Sequence, residues 1–390
     1  LDSLDVAGKR VLVRCDFNVP LKDGTISDDL RIRSAVPTLE ALLASGARLV
    51  VCSHLGRPKG RVVDDLRLAP IGRSLEQLLG RQVHTVSDVV GPEARAAAAS
   101  NGDVVLLENL RFEPGEEQND AVLADALAGL ADAYVDDAFG AAHRAHASVV
   151  GVAERLPCAA GLLLADEVEK LERLLHDPQR PFVAILGGAK ISDKLAVIGN
   201  LLDRVDAICI GGAMAFTLLV AQGHDVGRSL VEKGKISDVT DVLKEAESRG
   251  VDILLPSDVV AADGPDEGAA YETVVLDQIG DRMGVDIGPE TAKEFAGRIE
   301  EAKTVLWNGP MGIFEIDAYS EGTRAVARAV GRATGAGAYT VAGGGDSAAA
   351  LRQMNMTEAV SHLSTGGGAS LELLEGKELP GVAVLRKGNR

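Results

Sequence analysis

Arginine and histidine gather at a few points of a chain that is otherwise rich in acid. Arg14 opens the run Arg14-Cys15-Asp16-Phe17-Asn18-Val19-Pro20, and Arg31 lies a short distance beyond it. Further on come Ser53-His54-Leu55-Gly56-Arg57-Pro58, then Arg111, then His143-Arg144-Ala145-His146. A guanidinium fork pairs bidentately with carboxylate or phosphate, so this set has the chemistry of an anion pocket. Singly, each residue reads as a surface arginine, a structural histidine or a solvated turn. Their value lies in converging.

The second half carries a different set. Gly187-Gly188 precedes Ala189-Lys190, Gly211-Gly212 follows an apolar run, and Gly343-Gly344-Gly345 precedes Asp346-Ser347. A strand–glycine–helix turn presents backbone N–H groups and a helix N-terminus, which suit phosphate. One such turn also serves as a plain tight turn, but three point to a nucleotide. No GxxxxGK[ST] is present, so this is not a P-loop enzyme, and no GxGxxG opens the first strand–helix unit with an acidic residue at the usual distance, which argues against a dinucleotide dehydrogenase. Lys190 and Lys194 are spaced to share one face of a first helical turn, where they hold a phosphate chain or else simply face solvent. Asp346 is placed to take Mg²⁺, or to cap the following helix, or both.

These residues need elements that bring them together. Short apolar runs at 11–14, 47–52, 104–108 and 133–139 read as buried strands, with helical spacing at 33–45 and 120–130 between them. Runs at 181–188, 205–212, 251–256, 303–309 and 338–345 repeat the scheme. Alternation of this kind predicts an α/β protein of two doubly wound, Rossmann-like parallel-sheet domains. Ligands of such sheets bind beyond the carboxyl ends of the strands, where the cations lie. Beyond Pro157, residues 162–178 form one amphipathic helix stopped by Asp177-Pro178, either a rigid connector between domains or a surface helix of one of them.

Length and composition agree. The 390 residues exceed one compact core, and 46% hydrophobic with 25% charged residues is the balance of a folded protein. Aromatics are scarce at 3%, so the cores are built of Ala, Val, Leu and Ile. A formal net charge of −18 argues against nucleic acid or anionic membrane as partners. Cys15, Cys52, Cys158 and Cys209 show no zinc-ligand spacing, and three of them sit in or beside apolar runs, which reads as buried thiols of a reducing compartment. With no basic-then-apolar opening and no membrane-length apolar window, a cytoplasmic location is expected.

Taken together the motifs closely resemble the phosphoglycerate kinase family. RCDFNVP, SHLGRP, LENLRF, DAFGAAHRAHAS, GGAKISDK, GGAMAF, LLPSDVVAAD, WNGPMGIFE, GGGDS and STGGGAS occur in the family's order along essentially the whole chain. Cys15 stands where the family more often has Val or Ala, Ser347 where Thr is common, and Ala213 where a third Gly is frequent; none of these removes a charged group. The resemblance implies a sugar-acid domain at 1–158 completed by residues 371–390, an interdomain helix at 159–177, and a nucleotide domain at 178–370. It implies reversible phosphoryl transfer between 1,3-bisphosphoglycerate and ADP, giving 3-phosphoglycerate and ATP, with Mg²⁺, in a hinge-closing monomer.

By the same resemblance Arg31, Lys194 and Lys190 are catalytic. Asp16, Asn18, Arg31, His54, Leu55, Gly56, Arg57, Arg111, His143 and Arg144 bind the sugar acid. Gly187, Lys190, Lys194, Gly211, Gly212, Gly284, Asn308, Glu315, Gly343, Gly344, Gly345, Asp346 and Ser347 surround the nucleotide, with Asp346 taking the metal. The acceptor carboxylate has a pKa of about 4 and needs no general base, which suits a sequence without a convincing His–carboxylate dyad. Three other readings stand beside this one: a kinase of the same lineage acting on another carboxylate, an inactive nucleotide-binding scaffold, and a secondary binding role at a cell surface.

Overall fold

Arg10–Arg14 (β1) reads Arg-Val-Leu-Val-Arg, and its last four residues are buried. A strand covered on both faces belongs inside a parallel sheet. After a short antiparallel hairpin, β2 (Leu21–Lys22) with β3 (Thr25–Ile26), come β4 (Arg48–Cys52), β5 (His84–Thr85), β6 (Val104–Leu106), β7 (Ala133–Asp136) and β8 (Cys158–Ala160). All but the hairpin form one parallel sheet ordered β5-β6-β4-β1-β7-β8. The chain winds outward from β1 to one side through β4 and to the other through β7. With right-handed crossovers this puts helices on both faces.

The computed structural model describes every residue except 2, 3, 23, 101, 389 and 390. The described chain divides into two units, Leu1–Glu169 with Glu378–Arg390, and Lys170–Lys377. Helix Leu162–His176 gives residues to both. Helix Pro380–Gly388 belongs to the first unit, where Gly381 N–H donates to the Ala142 carbonyl at 2.9 Å. The C-terminal return expected over 371–390 ends on residues 389 and 390, which lie outside the described residues.

In the second unit β9 (Phe182–Leu186), β10 (Ala207–Ile210) and β11 (Asp252–Leu254) are followed by an antiparallel excursion. This is β12 (Asp258–Ala262), β13 (Tyr271–Val275) and β14 (Met283–Ile287), paired in the order β13-β12-β14. Then β15 (Thr304–Asn308), β16 (Tyr339–Gly343) and β17 (His362–Leu363) complete a parallel sheet ordered β11-β10-β9-β15-β16-β17. The winding reverses between β9 and β15, and the crevice at their carboxyl ends is where such a sheet takes a ligand. The core packs around Trp307, fully buried, whose indole N–H donates to Gly309 O at 2.8 Å.

Sequence periodicity missed the antiparallel sheet. Its outer strand β13 is largely exposed, and β12 carries an irregularity between Val260 and Ala261, so neither shows clean alternation. The helix expected to begin at Arg33 begins at Leu30, its N–H held by Asp28 at 2.9 Å, with Ile32, Ala35, Leu39 and Leu42 on its buried face. This places Arg31 inside the first helical turn rather than ahead of it.

Asp137 ties the first unit's sheet to helix Leu162–His176, accepting the Leu163 N–H at 2.9 Å. It is fully buried, and burial pushes its carboxyl up to about 7. The folded chain therefore holds a proton there that the unfolded chain releases near pH 4, so this group favours folding least at high pH. Stability should fall as pH rises from about 4 through about 7, by about 2–4 kcal/mol from this group. Asp137→Asn keeps the accepting oxygen, so denaturant titrations across that range should show a flatter profile than wild type. An unchanged slope would show that Asp137 does not carry it.

Candidate functional site

The carboxyl ends of β1, β4, β6 and β7 lie side by side, and each is followed by residues that can meet an anion. Arg31 Nη1 donates to both Asp16 oxygens, at 3.2 and 3.0 Å, and to the Asn18 carbonyl at 3.2 Å. Its Nε and Nη2 make no hydrogen bond among the described residues. Asn18 Oδ1 accepts the Gly56 N–H at 2.9 Å, and the Gly56 carbonyl accepts from Arg111 Nη1 at 2.6 Å. Gly56 has a φ of +62°, a conformation that favours glycine. Leu55 is clamped by Asn109, which accepts its N–H at 3.1 Å and donates to its carbonyl at 2.7 Å. The 53–57 loop is thus pinned from the segments after β1 and β6.

Burial sets the electrostatics. It raises Asp16, but His54, Arg31 and Arg14 outweigh it and hold the carboxyl below its ordinary value. Burial pushes His54 well below the usual histidine range, so its ring is neutral near pH 7. Arg111 is lowered by burial and by the neighbouring charge of Arg144. Arg144 Nε contacts His143 Nε2 at 3.1 Å, and Arg57 is exposed with no ion pair among the described residues. The third histidine, His146, stays behind the cluster, 3.7 Å from the buried Glu116. Arg14, the first cation of the sequence pattern, is buried rather than presented.

The glycine turns of the second unit differ from their sequence expectation. The N–H groups of Gly187, Gly188, Gly211 and Gly212 donate to Asn308, Pro310, Leu186 and Met311 carbonyls at 2.9–3.2 Å, so they are not bare. These glycines serve close packing instead. A Cβ on Gly309 would strike the Gly187 carbonyl, and one on Gly212 would strike Gly188. The first turn leads to a 3₁₀ turn, Ile191–Asp193, not to an α-helix. Lys190 stands extended and exposed before it, Lys194 is buried after it, and the two share no helical face.

The third turn keeps free donors. Gly344 N–H and Gly345 N–H make no hydrogen bond among the described residues, and helix Gly345–Gln353 begins there. Asp346 lies exposed in its first turn, but Gly344 holds the capping position and no side chain caps the helix, so Asp346 is not the cap. Ser347 is fully buried and accepts the Gly309 N–H at 2.7 Å, which makes it a support for the loop. Lys194 Nζ meets Asn308 Oδ1, while Asn308 Nδ2 donates to the Gly343 carbonyl at 2.9 Å. Burial lowers Lys194, against the pull of Asp193, Asp346 and Glu375. Lys194, Asn308, Gly343, Gly344 and Asp346 therefore form one polar cluster.

Beside it opens a cavity of about 370 Å³. Gly212, Gly284, Glu315 and Asp346 line it, together with the buried Phe216, Val259 and Met311. Gly284 is required there, since a Cβ would enter the Phe216 ring. Asp286 also lines the cavity, and burial pushes it up to about 8, so it adds little negative charge near pH 7. An apolar slot that meets the polar cluster at Asp346, beside a helix start with unpaired N–H groups, fits a flat ring carrying a phosphate chain.

The donor set also bears on metal. Among the described residues no group of three or more His, Cys, Asp or Glu side chains could hold an ion. Asp346 offers a single exposed carboxylate at the polar end of the cavity. This fits Mg²⁺, which retains waters and takes further oxygens from phosphate rather than from a protein cage. No described helix is long and apolar enough to cross a membrane, and all four cysteines are free and buried.

Comparison with known proteins adds the family. The family model for phosphoglycerate kinase matches residues 1–377. The chain is 56% identical over 388 residues to the phosphoglycerate kinase of Moorella thermoacetica, covering 99% of this chain and 98% of that one. A Synechococcus phosphoglycerate kinase is 54% identical over 390 residues, covering 99% and 97%. Among solved structures, phosphoglycerate kinase from Coxiella burnetii aligns with a TM-score of 0.90 at 42% identity, covering 99% of this chain and 98% of that chain. The enzyme from Pyrococcus horikoshii aligns at 0.84 and 32% identity, covering 100% and 98%. With two parallel-sheet units, an arginine cluster on one, a glycine-walled cavity on the other and relatives matched end to end, the chain belongs to the phosphoglycerate kinase family.

Proposed function

We propose that the two clusters divide the work of a phosphoglycerate kinase, moving a phosphoryl group reversibly between 1,3-bisphosphoglycerate and ADP to give 3-phosphoglycerate and ATP. The first unit takes the sugar acid through Asp16, Asn18, Arg31, His54, Leu55, Gly56, Arg57, Arg111, His143 and Arg144. The second takes the nucleotide, with its ring in the apolar cavity between Gly212, Gly284 and Glu315 and its phosphates toward Lys190, Lys194, Asn308, Gly344, Gly345 and Asp346. The observation that carries the reading is Arg31: one nitrogen is anchored by Asp16 and Asn18, and two remain for a carboxylate or phosphoryl oxygen.

The reaction needs little from the protein in covalent terms. In the ATP-consuming direction the carboxylate of 3-phosphoglycerate attacks the terminal phosphorus, and the bond to the bridging oxygen of ADP breaks. No proton has to be removed from the nucleophile. What remains is alignment and neutralisation of charge on the group in flight. Arg31 meets that group from the acceptor side and Lys194 from the nucleotide side. Asp346 would hold Mg²⁺, which when bound draws charge from the phosphate oxygens. One chain supplies both clusters, so a monomer suffices.

Because the clusters belong to different units, direct in-line transfer requires closure about the connecting segment, with helix Leu162–His176 as the rigid part. Closure also removes water, which would otherwise compete for the phosphoryl group. Small-angle scattering should show a smaller radius of gyration with both substrates than with either alone. An unchanged radius would count against closure.

A coupled assay with 3-phosphoglycerate and Mg·ATP, read through a downstream dehydrogenase, tests the chemistry. Arg31→Ala and Lys194→Ala should each lower kcat by about 10²–10³, the usual loss for a group that stabilises transition-state charge. Near-normal turnover in Arg31→Ala would remove it from the reacting centre. Wild-type protein that binds ATP without turnover would leave the inactive scaffold as the reading.

A further inference from the structure

Behind the arginine cluster lies a line of hydrogen bonds with a fixed direction. Glu116 is fully buried, and its Oε2 accepts the Ser148 N–H at 3.0 Å while Oε1 accepts the Ser148 hydroxyl at 2.6 Å. Burial raises this carboxyl, but His146, Arg14 and Ser148 outweigh it, so Glu116 is ionised and can only accept. The Ser148 hydroxyl has one proton, which is committed to Glu116. Its lone pairs then accept from Arg14 Nε at 2.9 Å. A guanidinium has five donors and no acceptor. Arg14 Nη1 donates to the Cys15 carbonyl, and Nη2 lies 3.1 Å from His54 Nδ1. Nδ1 must therefore be the unprotonated nitrogen. A neutral ring with a bare Nδ1 carries its proton on Nε2, which makes no hydrogen bond among the described residues.

We infer that Glu116 and Ser148 are positioning residues for the phosphoryl-transfer reaction: acting through Arg14, they lock His54 in the Nε2–H tautomer, so that it meets the sugar acid as a hydrogen-bond donor. The inference rests on the reading that His54 faces that substrate. The wrong tautomer would present a lone pair to a carboxylate or phosphate, turning an attractive contact repulsive. The selection begins four hydrogen bonds away from the substrate, at a carboxylate that never touches it. The sense of each bond follows from donor and acceptor chemistry alone: carboxylate, hydroxyl, guanidinium, imidazole.

Nitrogen-15 correlation spectra of the histidine rings, with substrate kinetics, test this on the full-length protein. Wild-type His54 should show a single Nε2–H tautomer near neutral pH, and adding 3-phosphoglycerate should shift its ring signals. Ser148→Ala removes the acceptor that aims Arg14. His54 should then show mixed tautomers, and KM for 3-phosphoglycerate should rise about tenfold, as for one lost hydrogen bond to a charged group, while KM for ATP stays constant. Glu116→Gln keeps the shape and one accepting oxygen, and should fall between the two. Thermal melts confirm that each variant is folded, and since Glu116→Gln conserves volume it keeps the test open if Ser148→Ala does not fold. A variant with a pure Nε2–H ring and wild-type KM overturns the positioning role, as does wild-type His54 protonated on Nδ1. If 3-phosphoglycerate leaves the wild-type His54 signals unmoved, the reading of His54 as a substrate ligand falls, and the positioning role with it.

Discussion

Arg14 ends the central strand of the first unit with 1% of its surface exposed, and the anion cluster depends on how that charge is housed. A buried guanidinium is tolerable only if its donors are met and its charge is balanced. Here Ser148, the Cys15 carbonyl and His54 meet the donors, and Glu116, Asp136 and Asp16 balance the charge. The same bonds fix the end of β1 to the loop after β4 and to the segment after β7. Arg31, Arg111 and Arg144 then project from a frame that is already rigid, which is the condition for charges to act without reorganising.

The second unit solves a different problem, bringing four loops close enough to make a shallow cavity for a ring and a phosphate chain. Glycine does this by absence of a side chain. Gly187, Gly212 and Gly309 let loop backbones touch, and their N–H groups are consumed in holding those loops together. Among the described glycines of these turns, Gly344 and Gly345 keep N–H groups free for a ligand. A glycine-rich turn thus serves either as wall or as anion receptor, and its hydrogen bonds decide which.

The chemistry asks for no general base, because the acceptor carboxylate is already ionised. A phosphoryl group moving between two oxyanions needs neutralising charge on each side and exclusion of water. The protein meets the first need locally, against a net charge of −18. Asp286, raised to about 8 by burial in the cavity wall, shows the same economy, since a carboxyl that stays protonated adds no repulsion.

The linear sequence determined a good deal. Apolar runs placed the inner parallel strands to within about three residues, because strands buried on both faces leave an unbroken apolar signature, but they missed the short edge strands β5, β8 and β17. The motif order placed the chain in its family, and most candidate ligands fell at strand ends because that is where a parallel sheet keeps its polar edge. Spacing along the chain could not decide what depends on partners far away. Lys190 and Lys194 look like one helical face in sequence, yet a 3₁₀ turn separates an exposed lysine from one buried against Asn308 of another strand. Ser347, expected beside the nucleotide, also accepts the Gly309 N–H from the neighbouring loop, a support that spacing along the chain does not reveal. The antiparallel sheet was silent because its exposed strand has no core face to mark. The direction of the Glu116–Ser148–Arg14–His54 line, crossing more than a hundred positions from Arg14 to Ser148, exists only where the fold sets donor against acceptor. Residue type fixes what each group can do, and tertiary structure alone fixes which partner it does it with.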